Sequence, residues 1–309
     1  MERDNVGLAA IVVSYNDDYK IKEWYDNYQF YKDAVDLLVI ADNGSESAFL
    51  EKVKSYFPTA ILLELGINLG STHAYNEAIK YVIKNNLADT IMLIGNDMKI
   101  RSEDVLRMYR VLQKDTSIAM IGPVILKKDS MIIDGVGYHF NKHYAMHGFY
   151  AGEQYNENNF MEEIIETEAM AGGMNIVPCS IYRKLGMQDE KLFMYADEVD
   201  TSIRIHKKGY KIAVDTHALA WHQHINKPGR SVRSPYVPFL IDRNNTYIAR
   251  KHYGIGRGMY MLSYTILSSL RIVVISGFKS EQIQNAKMRI KGALNGFRGK
   301  MTLPQGLWI

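Results

Sequence analysis

The sequence predicts an α/β fold: a mainly parallel, twisted sheet flanked by helices, followed by a helical C-terminal tail. Three observations carry that expectation. Short apolar runs alternate with helix-length amphipathic segments through the first 125 residues or so, the rhythm of a sheet with helices packed on it. The apolar runs end in clusters of polar residues and glycine. The last 67 residues, from Arg243, change character and carry eleven Lys or Arg against one acid. The length of 309 residues, 47% hydrophobic and 23% charged, suits one large domain or a domain plus a tail.

The elements follow in order. "LAAIVVSYN" (8–16) reads as a buried strand ending in polar residues, and "IKEWYDNYQFYK" as a helix. "VDLLVIADNGS" (35–45) is a second strand running into a turn, and "SAFLEKVKSYF" a helix. "AILLELGINLG" (60–70) is a third strand with a Gly-bearing loop. "STHAYNEAIKYVIKNN" is a helix with Ala74, Ala78 and Tyr81 or Val82 on one face. "TIMLIGNDM" (90–98) is a fourth strand, "SEDVLRMYRVLQKD" a helix opening on a capping pattern, and "IAMIGPVIL" a fifth strand. "MAGGMNIVP" (170–178) reads as a strand and turn whose glycines, Gly172 and Gly173, allow close backbone approach.

"DEVDTSIRIHKKG" (197–209) is a short helix. Asp197 stands where an N-cap belongs, Val199 and Ile203 give an apolar face, and Gly209 supplies the stop. Asp200 and Arg204, four apart, pair along it. Capping accounts for Asp197 and pairing for Asp200, but neither accounts for Glu198.

Polar signals gather at the carboxyl ends of the strands, where open α/β sheets bind ligands. They are Ser14, Tyr15 and Asn16, then Asp42, Asn43, Gly44 and Ser45, then Asn68, Gly70 and Ser71, then Asn96 and Asp97. Turn chemistry explains each cluster singly; four at one edge point to a site. No GxGxxG and no GxxxxGK[ST] occurs, which removes a dinucleotide fingerprint and a Walker loop.

The single cysteine, Cys179, excludes an internal disulfide framework and Cys-rich zinc modules, and fits a reducing compartment. The first apolar run is too short for a signal peptide. Removing the tail's charges leaves 26 basic and 33 acidic residues in 1–242, so a net acidic body carries a basic tail. Within it, "MYMLSYTILSSLRIVVISGF" (259–278) is apolar but interrupted by Arg271, a poor spanning helix and a better interfacial one. "SEQIQNAKMRIKGALNGFRGK" reads as a basic amphipathic helix. An anionic membrane surface is the expected partner. Nucleic acid is not, and a homo-oligomer contact or a helix packed on the body is the alternative.

The ordered set "VVSYN", "ADNGS", "NLGSTHAYNEAI", "LIGNDM", "LFMYADEVDTSIRIHKKGYKI" and "AWHQH" resembles the family 2 glycosyltransferases, nearest the bacterial rhamnosyltransferase and galactofuranosyltransferase-like branch. The resemblance spans roughly residues 7 to 250. It implies a GT-A fold with a Rossmann-like nucleotide-binding half (about 1–125), an acceptor part (about 126–254) and a variable tail (255–309). It implies an inverting hexosyltransferase that uses Mg²⁺ or Mn²⁺. Its donor would be a dTDP- or UDP-sugar, of rhamnose or a galactose form. The acceptor would be lipid-linked or a polysaccharide in cell-surface glycan synthesis, met by a cytoplasmic enzyme peripheral to the inner membrane face.

By position, Ser14, Tyr15 and Asp42 would hold base and ribose, and Asn68 and Gly70 would line the diphosphate. Asn16, Asn43, Ser45, Asn76, Asn96, Gly172, Gly173, Asp200 and Arg204 complete the substrate-binding candidates. Asp97 matches the last acid of the family's DXD element, whose first two positions here are Gly95 and Asn96. His222 resembles the histidine that approaches the same metal, with His224, two residues on, as an alternative. The catalytic base falls on Glu198, with Asp197 next; the family order of Glu then Asp is swapped here. Two other readings are a nucleotidyltransferase, for which "VVSYNDDY" lacks a Gly- and Arg/Lys-rich loop, and a non-catalytic nucleotide-sugar or glycan-binding protein.

Overall fold

The computed structural model describes residues 7–140, 146–223 and 236–303. The first half builds β1 (Leu8–Ser14), α1 (Ile21–Tyr31), β2 (Leu37–Asp42), α2 (Ser47–Tyr56), β3 (Ile61–Glu64), α3 (Ser71–Lys84) and β4 (Thr90–Ile94). β4, β1, β2 and β3 lie side by side and parallel. β1 is almost wholly buried, as a parallel strand covered on both faces must be, so it reads as an unbroken apolar run. Two apolar layers cover the sheet, one around Trp24, Phe49, Met92 and Met108, the other around Ala74, Ile79, Ile91 and Val124.

The next elements are β5 (Met98–Ile100), α4 (Ser102–Lys114), β6 (Ile118–Lys127), β7 (Ile133–Gly135), β8 (Tyr138–Phe140) and β9 (Met146–Gly148). The expected capping pattern of α4 does not form. Its cap position is Arg101, without a side-chain cap, and Ser102 Oγ donates instead to the Phe30 carbonyl at 3.1 Å.

β10 (Ile164–Glu166), β11 (Met174–Pro178), α5 (Cys179–Leu185), α6 (Asp197–Lys207) and β12 (Lys211–His222) complete the body. The main sheet runs β10-β12-β6-β11-β4-β1-β2-β3. β11 inserts between β6 and β4 and is antiparallel to both. That reversal brings the Gly172–Gly173 turn to the carboxyl end of β4, where the Gly95 N–H donates to the Gly173 carbonyl at 2.8 Å. β12 returns parallel to β6 and pairs antiparallel with β5 through His222 and Met98. Residues from four distant stretches so meet at one edge.

α7 (Tyr236–Tyr253) closes the part expected to meet the acceptor, the tail forms α8 (Ile255–Ile275) and α9 (Ser280–Arg298), and the three helices pack on one another. α9 lies against α7 so closely that a Cβ on Gly292 or Gly296 would collide with the Phe239 or Arg243 carbonyl. Arg289 of α9 pairs with Asp242 at 2.8 Å. α8 is long and apolar enough to cross a membrane by length and composition, and little of it is buried. Leu267 and Ile275 are 67% and 72% exposed.

Candidate active site

The first group is built around Asp42, buried at the end of β2. Its Oδ2 accepts from the hydroxyls of Ser14 (2.8 Å) and Ser45 (2.6 Å), and its Oδ1 from the backbone N–H of Gly44 (3.1 Å) and Ser45 (2.8 Å). One carboxylate thereby fixes the turn after β2 to the end of β1. The Asn16 N–H donates to Ser45 Oγ, and the Glu46 N–H to Asn16 Oδ1. Asn43 Nδ2 donates to Asn68 Oδ1 at 2.8 Å, and that oxygen also accepts from the Gly70 N–H at 3.1 Å. The edge clusters at strands one, two and three are thus one hydrogen-bonded rim, with the Tyr15 ring 38% exposed on it.

The second group follows β4. A Cβ on Gly95 would stand 3.0 Å from Asp97 Oδ1, so a larger residue there would press on that carboxylate. Asn96 Nδ2 donates to Asp17 Oδ2 at 2.7 Å, and Asp17 pairs with Lys20 at 3.2 Å. Asp97 Oδ2 faces His222 Nε2 at 3.4 Å, and His222 Nδ1 faces Asp134 Oδ2 at 3.6 Å. Burial favours the neutral form of both Asp97 and His222, but their mutual attraction outweighs it. The Asp97 pKa is lowered and that of His222, which also feels Asp134, is raised. His224 lies outside the described residues.

Asp97 and His222 fit a divalent cation. Two cis ligands at ~2.1 Å from an ion stand ~3 Å apart, close to the observed gap, and oxygen plus imidazole is a donor set that Mg²⁺, Mn²⁺ or Zn²⁺ accepts. Among the described residues, one group of three brings its ligand atoms within 4.8 Å of one another: His73, Glu77 and Glu190. That group is already satisfied by its own pairs. Glu190 meets His73 at 3.0 Å and Asn76 at 2.9 Å, and Glu77 meets Lys80 at 2.7 Å.

The third group is the acid pair. Asp197 is the first residue of α6, not its cap; the cap position is Ala196 in the left-handed region, with no side-chain cap bond. Capping therefore does not explain Asp197, whose side chain engages Glu198 instead. Both carboxyls are only partly reached by solvent. Burial, then the Asp197 charge, pushes Glu198 up to about 8, and burial also raises Asp197. A Cβ on Gly172 would stand 3.2 Å from Glu198 Oε1, so that glycine lets the turn before β11 approach the acid. The Tyr75 phenol on α3 is pushed up by burial and then by Asp197, Asp97 and Glu198 together. Tyr138 likewise feels Glu198 and Asp134. The Gly172–Gly173 turn links the two groups: it meets Glu198 on one side and Gly95, two residues before Asp97, on the other.

Asp200 and Arg204 belong to a buried ion-pair cluster with α7. Asp200 is fully buried, and its oxygens take Arg204 (3.0 Å), Lys251 (2.6 Å) and His252 (2.7 Å). Burial would raise its pKa, but His252, Lys251 and Arg204 bring it down to about 2. Asn76 is spent on Gln188 and Glu190.

The segment before the acids is strained. Phe193 (φ 68°, ψ −59°), Tyr195 (φ 70°) and Ala196 (φ 62°) all have positive φ. Each such residue costs roughly 1–3 kcal/mol, so other bonds must over-determine the loop. Sequence reading did not single out Asp17, Tyr75, Asp134 or the α7 residues that hold this loop. Asp17 follows the "VVSYN" edge, and Arg243 stands in a run of five polar residues between the apolar "PFLI" and "YI"; both signals were present.

No family model matches the chain. It is 22% identical over 306 residues to the low-salt glycan biosynthesis hexosyltransferase Agl10 of Haloferax volcanii, covering 96% of this chain and 93% of that protein. It is 20% identical over 283 residues to the N-acetylglucosaminyl-diphospho-decaprenol L-rhamnosyltransferase of Mycobacterium tuberculosis, covering 86% and 91%. The mannosyltransferase PcManGT of Pyrobaculum calidifontis, solved with GDP-Man and Mn²⁺, superposes with a TM-score of 0.57 at 13% identity, over 95% of this chain and 87% of that one. The chain has a family 2-like GT-A glycosyltransferase fold. A second GT-A structure, S. aureus TarS 1–349 with UDP-GlcNAc, also gives a TM-score of 0.57 at 13% identity, over 96% and 82%. The helical tail follows the GT-A body, as the sequence predicts.

Proposed function

We propose that this chain is an inverting, metal-dependent hexosyltransferase. It moves a sugar from a UDP- or dTDP-sugar, of rhamnose or a galactose form, to a lipid-linked or polysaccharide acceptor. The observation that carries the reading is the Asp197–Glu198 pair, held beside Gly172, whose neighbour Gly173 is bonded to Gly95, two residues before Asp97. An acid pair and a cation-ready pair thus flank one turn at the carboxyl end of β4.

The rim from Ser14 to Gly70 would seat the nucleotide, with Tyr15 offering an exposed ring to the base. Asp97 and His222 would hold Mg²⁺ or Mn²⁺, with Asp134 orienting the imidazole from its other nitrogen. A bound cation supplies positive charge against the charge that builds on the departing diphosphate. Glu198 takes the proton of the acceptor hydroxyl as that oxygen bonds to the anomeric carbon. The bond from the anomeric carbon to the diphosphate oxygen breaks, and its electron pair leaves with the nucleoside diphosphate. One displacement inverts the centre. Glu198 must be ionised to take that proton; burial and Asp197 raise it to about 8 in the protein alone, and a cation held at Asp97 and His222 would lower it again. Asp197 keeps Glu198 oriented and is the second choice as base.

The similarity to a decaprenol-linked rhamnosyltransferase and a glycan biosynthesis hexosyltransferase supports a lipid-linked or glycan acceptor. The exposed apolar face of α8 and the basic residues of α9 support docking at the inner face of an anionic membrane. A thermal-shift panel of nucleoside diphosphates and nucleotide-sugars, with and without Mn²⁺, tests the donor class. Stabilisation by a UDP- or dTDP-sugar that needs Mn²⁺ supports the reading. A panel in which no nucleotide-sugar stabilises the protein overturns it.

A further inference from the structure

The loop that delivers the acid pair is held from outside along its whole length. The Leu192 carbonyl accepts from Arg243 Nη2 at 2.7 Å and from Asn244 Nδ2 at 3.0 Å. The Phe193 carbonyl accepts from the Thr72 N–H of α3 at 3.1 Å. The Met194 and Tyr195 carbonyls both accept from Asn244 Nδ2 at 2.8 Å. Four consecutive carbonyls of an irregular segment are therefore bound by groups from α3 and α7. Within the loop, the Met194 N–H donates to the Leu192 carbonyl at 2.8 Å. That closes a γ-turn at Phe193 of the rare, strained hand.

The clamp is itself fixed. Arg243 and Asn244 are fully buried. Arg243 Nε donates to Asn244 Oδ1 at 2.9 Å, which orients the amide with its nitrogen toward the loop. Arg243 Nη1 donates to the Met301 carbonyl at 3.0 Å, so the segment after α9 joins the same guanidinium. A buried cation is costly unless its donors are used. Here they are spent on carbonyls, and the planar fork reaches several at once. On the other side, a Cβ on Gly70 would collide with the Phe193 carbonyl. The loop of the nucleotide rim thus abuts the loop of the acids.

We propose that Arg243 and Asn244 are positioning residues, which hold the Leu192–Ala196 loop in its left-handed path and so set where Asp197 and Glu198 stand. The proposal rests on the reading of Glu198 as the base. Both side chains are fully buried, with no surface open to a substrate. A loop needed only to connect α5 to α6 has cheaper sequences, with glycine at the positive-φ positions. Phe193, Tyr195 and Ala196 keep side chains there and need the clamp.

The test compares Arg243→Lys, Arg243→Met and Asn244→Ala with Met108→Ala, a core-packing control in α4, at matched fraction folded. The expected result is a ~10–100-fold fall in kcat for Arg243→Met and Asn244→Ala, with donor KM and calorimetric donor binding unchanged. Displacement of a reacting group by about an ångström has that scale of effect. Arg243→Lys, which keeps a cationic donor, is expected to recover part of kcat. Met108→Ala is expected to keep kcat per folded molecule. Unchanged kcat in the clamp variants, or an equal fall in the control, overturns the proposal. Hydrogen exchange on the wild-type protein needs no variant. The Met194 amide, closed inside the clamp, is expected to exchange as slowly as the amides of α7; exchange at surface-loop rates overturns the clamp. If the wild type transfers no sugar, the base assignment fails, and the exchange measurement still judges the clamp.

Discussion

In Glu198→Gln an ionisable carboxyl becomes an amide of nearly the same shape that still donates toward Asp197. In the wild-type fold, burial and the Asp197 charge hold Glu198 at about 8, against 4.5 without the fold. Between those values the folded state keeps a proton that the unfolded chain has lost. Proton uptake is then greater in the native state, so stability falls as pH rises. The contribution is intact below the unfolded value and is lost as pH climbs toward about 8. Converted at ~1.4 kcal/mol per tenfold, the whole span is a ceiling of ~5 kcal/mol. Because both carboxyls are partly open to solvent, ~1–3 kcal/mol is the working expectation. Glu198→Gln, which cannot ionise, should match the wild type at pH 5 and exceed it at pH 8–9, by roughly 2–6 °C in Tm. Thermal melts of both proteins across pH 5 to 9 measure it. A Tm difference that does not change with pH, or a Gln variant that melts lower at pH 8, refutes the argument that this acid is held protonated at a cost.

Three further outcomes follow. Asp97→Ala should remove the Mn²⁺ dependence of nucleoside diphosphate binding in calorimetry, and His222→Ala should weaken it less; binding indifferent to chelator and to Asp97 would point to a metal-free site. Truncation after Gly254 removes α9 from Phe239 and Leu240 and the Met301 carbonyl from Arg243, exposing apolar surface worth ~3–6 kcal/mol; the fragment should be insoluble or show a much lower urea midpoint, and a body as stable as the full chain would contradict that. The full chain should float with anionic liposomes in a way that moderate salt reduces but does not abolish, since apolar contact through α8 supplies part of the binding; complete loss with salt would mean charge alone.

Much of the fold was legible because a parallel sheet announces itself. β1, β2, β4 and β6 read as unbroken apolar runs, and the helices between them carry one apolar face each. The polar rim was legible for a related reason: Ser14 and Asp42 end buried strands, Asp97 follows buried β4 by three residues, and Asn68 lies in the loop after half-buried β3. Strand order was not legible. β11 is as apolar as its neighbours, and nothing in "MNIVP" says that it runs backwards between β6 and β4. Long-range polar pairs were hidden too. Asp134 meets His222 only after β12 returns beside β5. Asp200 looked like half of an i,i+4 pair with Arg204, which it is, but Lys251 and His252 lie 51 and 52 residues away in sequence. The tail helices were visible from their pattern, whereas the seating of α9 on α7 depends on Gly292 and Gly296, whose role appears only when the backbones meet. Capping logic misplaced Asp197 by one residue because Ala196, not a polar residue, occupies the left-handed position before α6.

The most direct test of the account is sugar transfer itself, measured with purified wild-type protein, Glu198→Gln and Asp197→Asn. A panel of labelled UDP- and dTDP-sugars is offered with Mn²⁺ and a polyprenyl-diphosphate-linked saccharide acceptor. The account predicts Mn²⁺-dependent formation of an inverted glycoside by the wild type. In Glu198→Gln it predicts a loss of ~10²–10⁴-fold with donor affinity unchanged, and in Asp197→Asn a smaller loss. Near-normal turnover in Glu198→Gln with a dead Asp197→Asn would move the base by one residue. Full activity in both variants would contradict the mechanism.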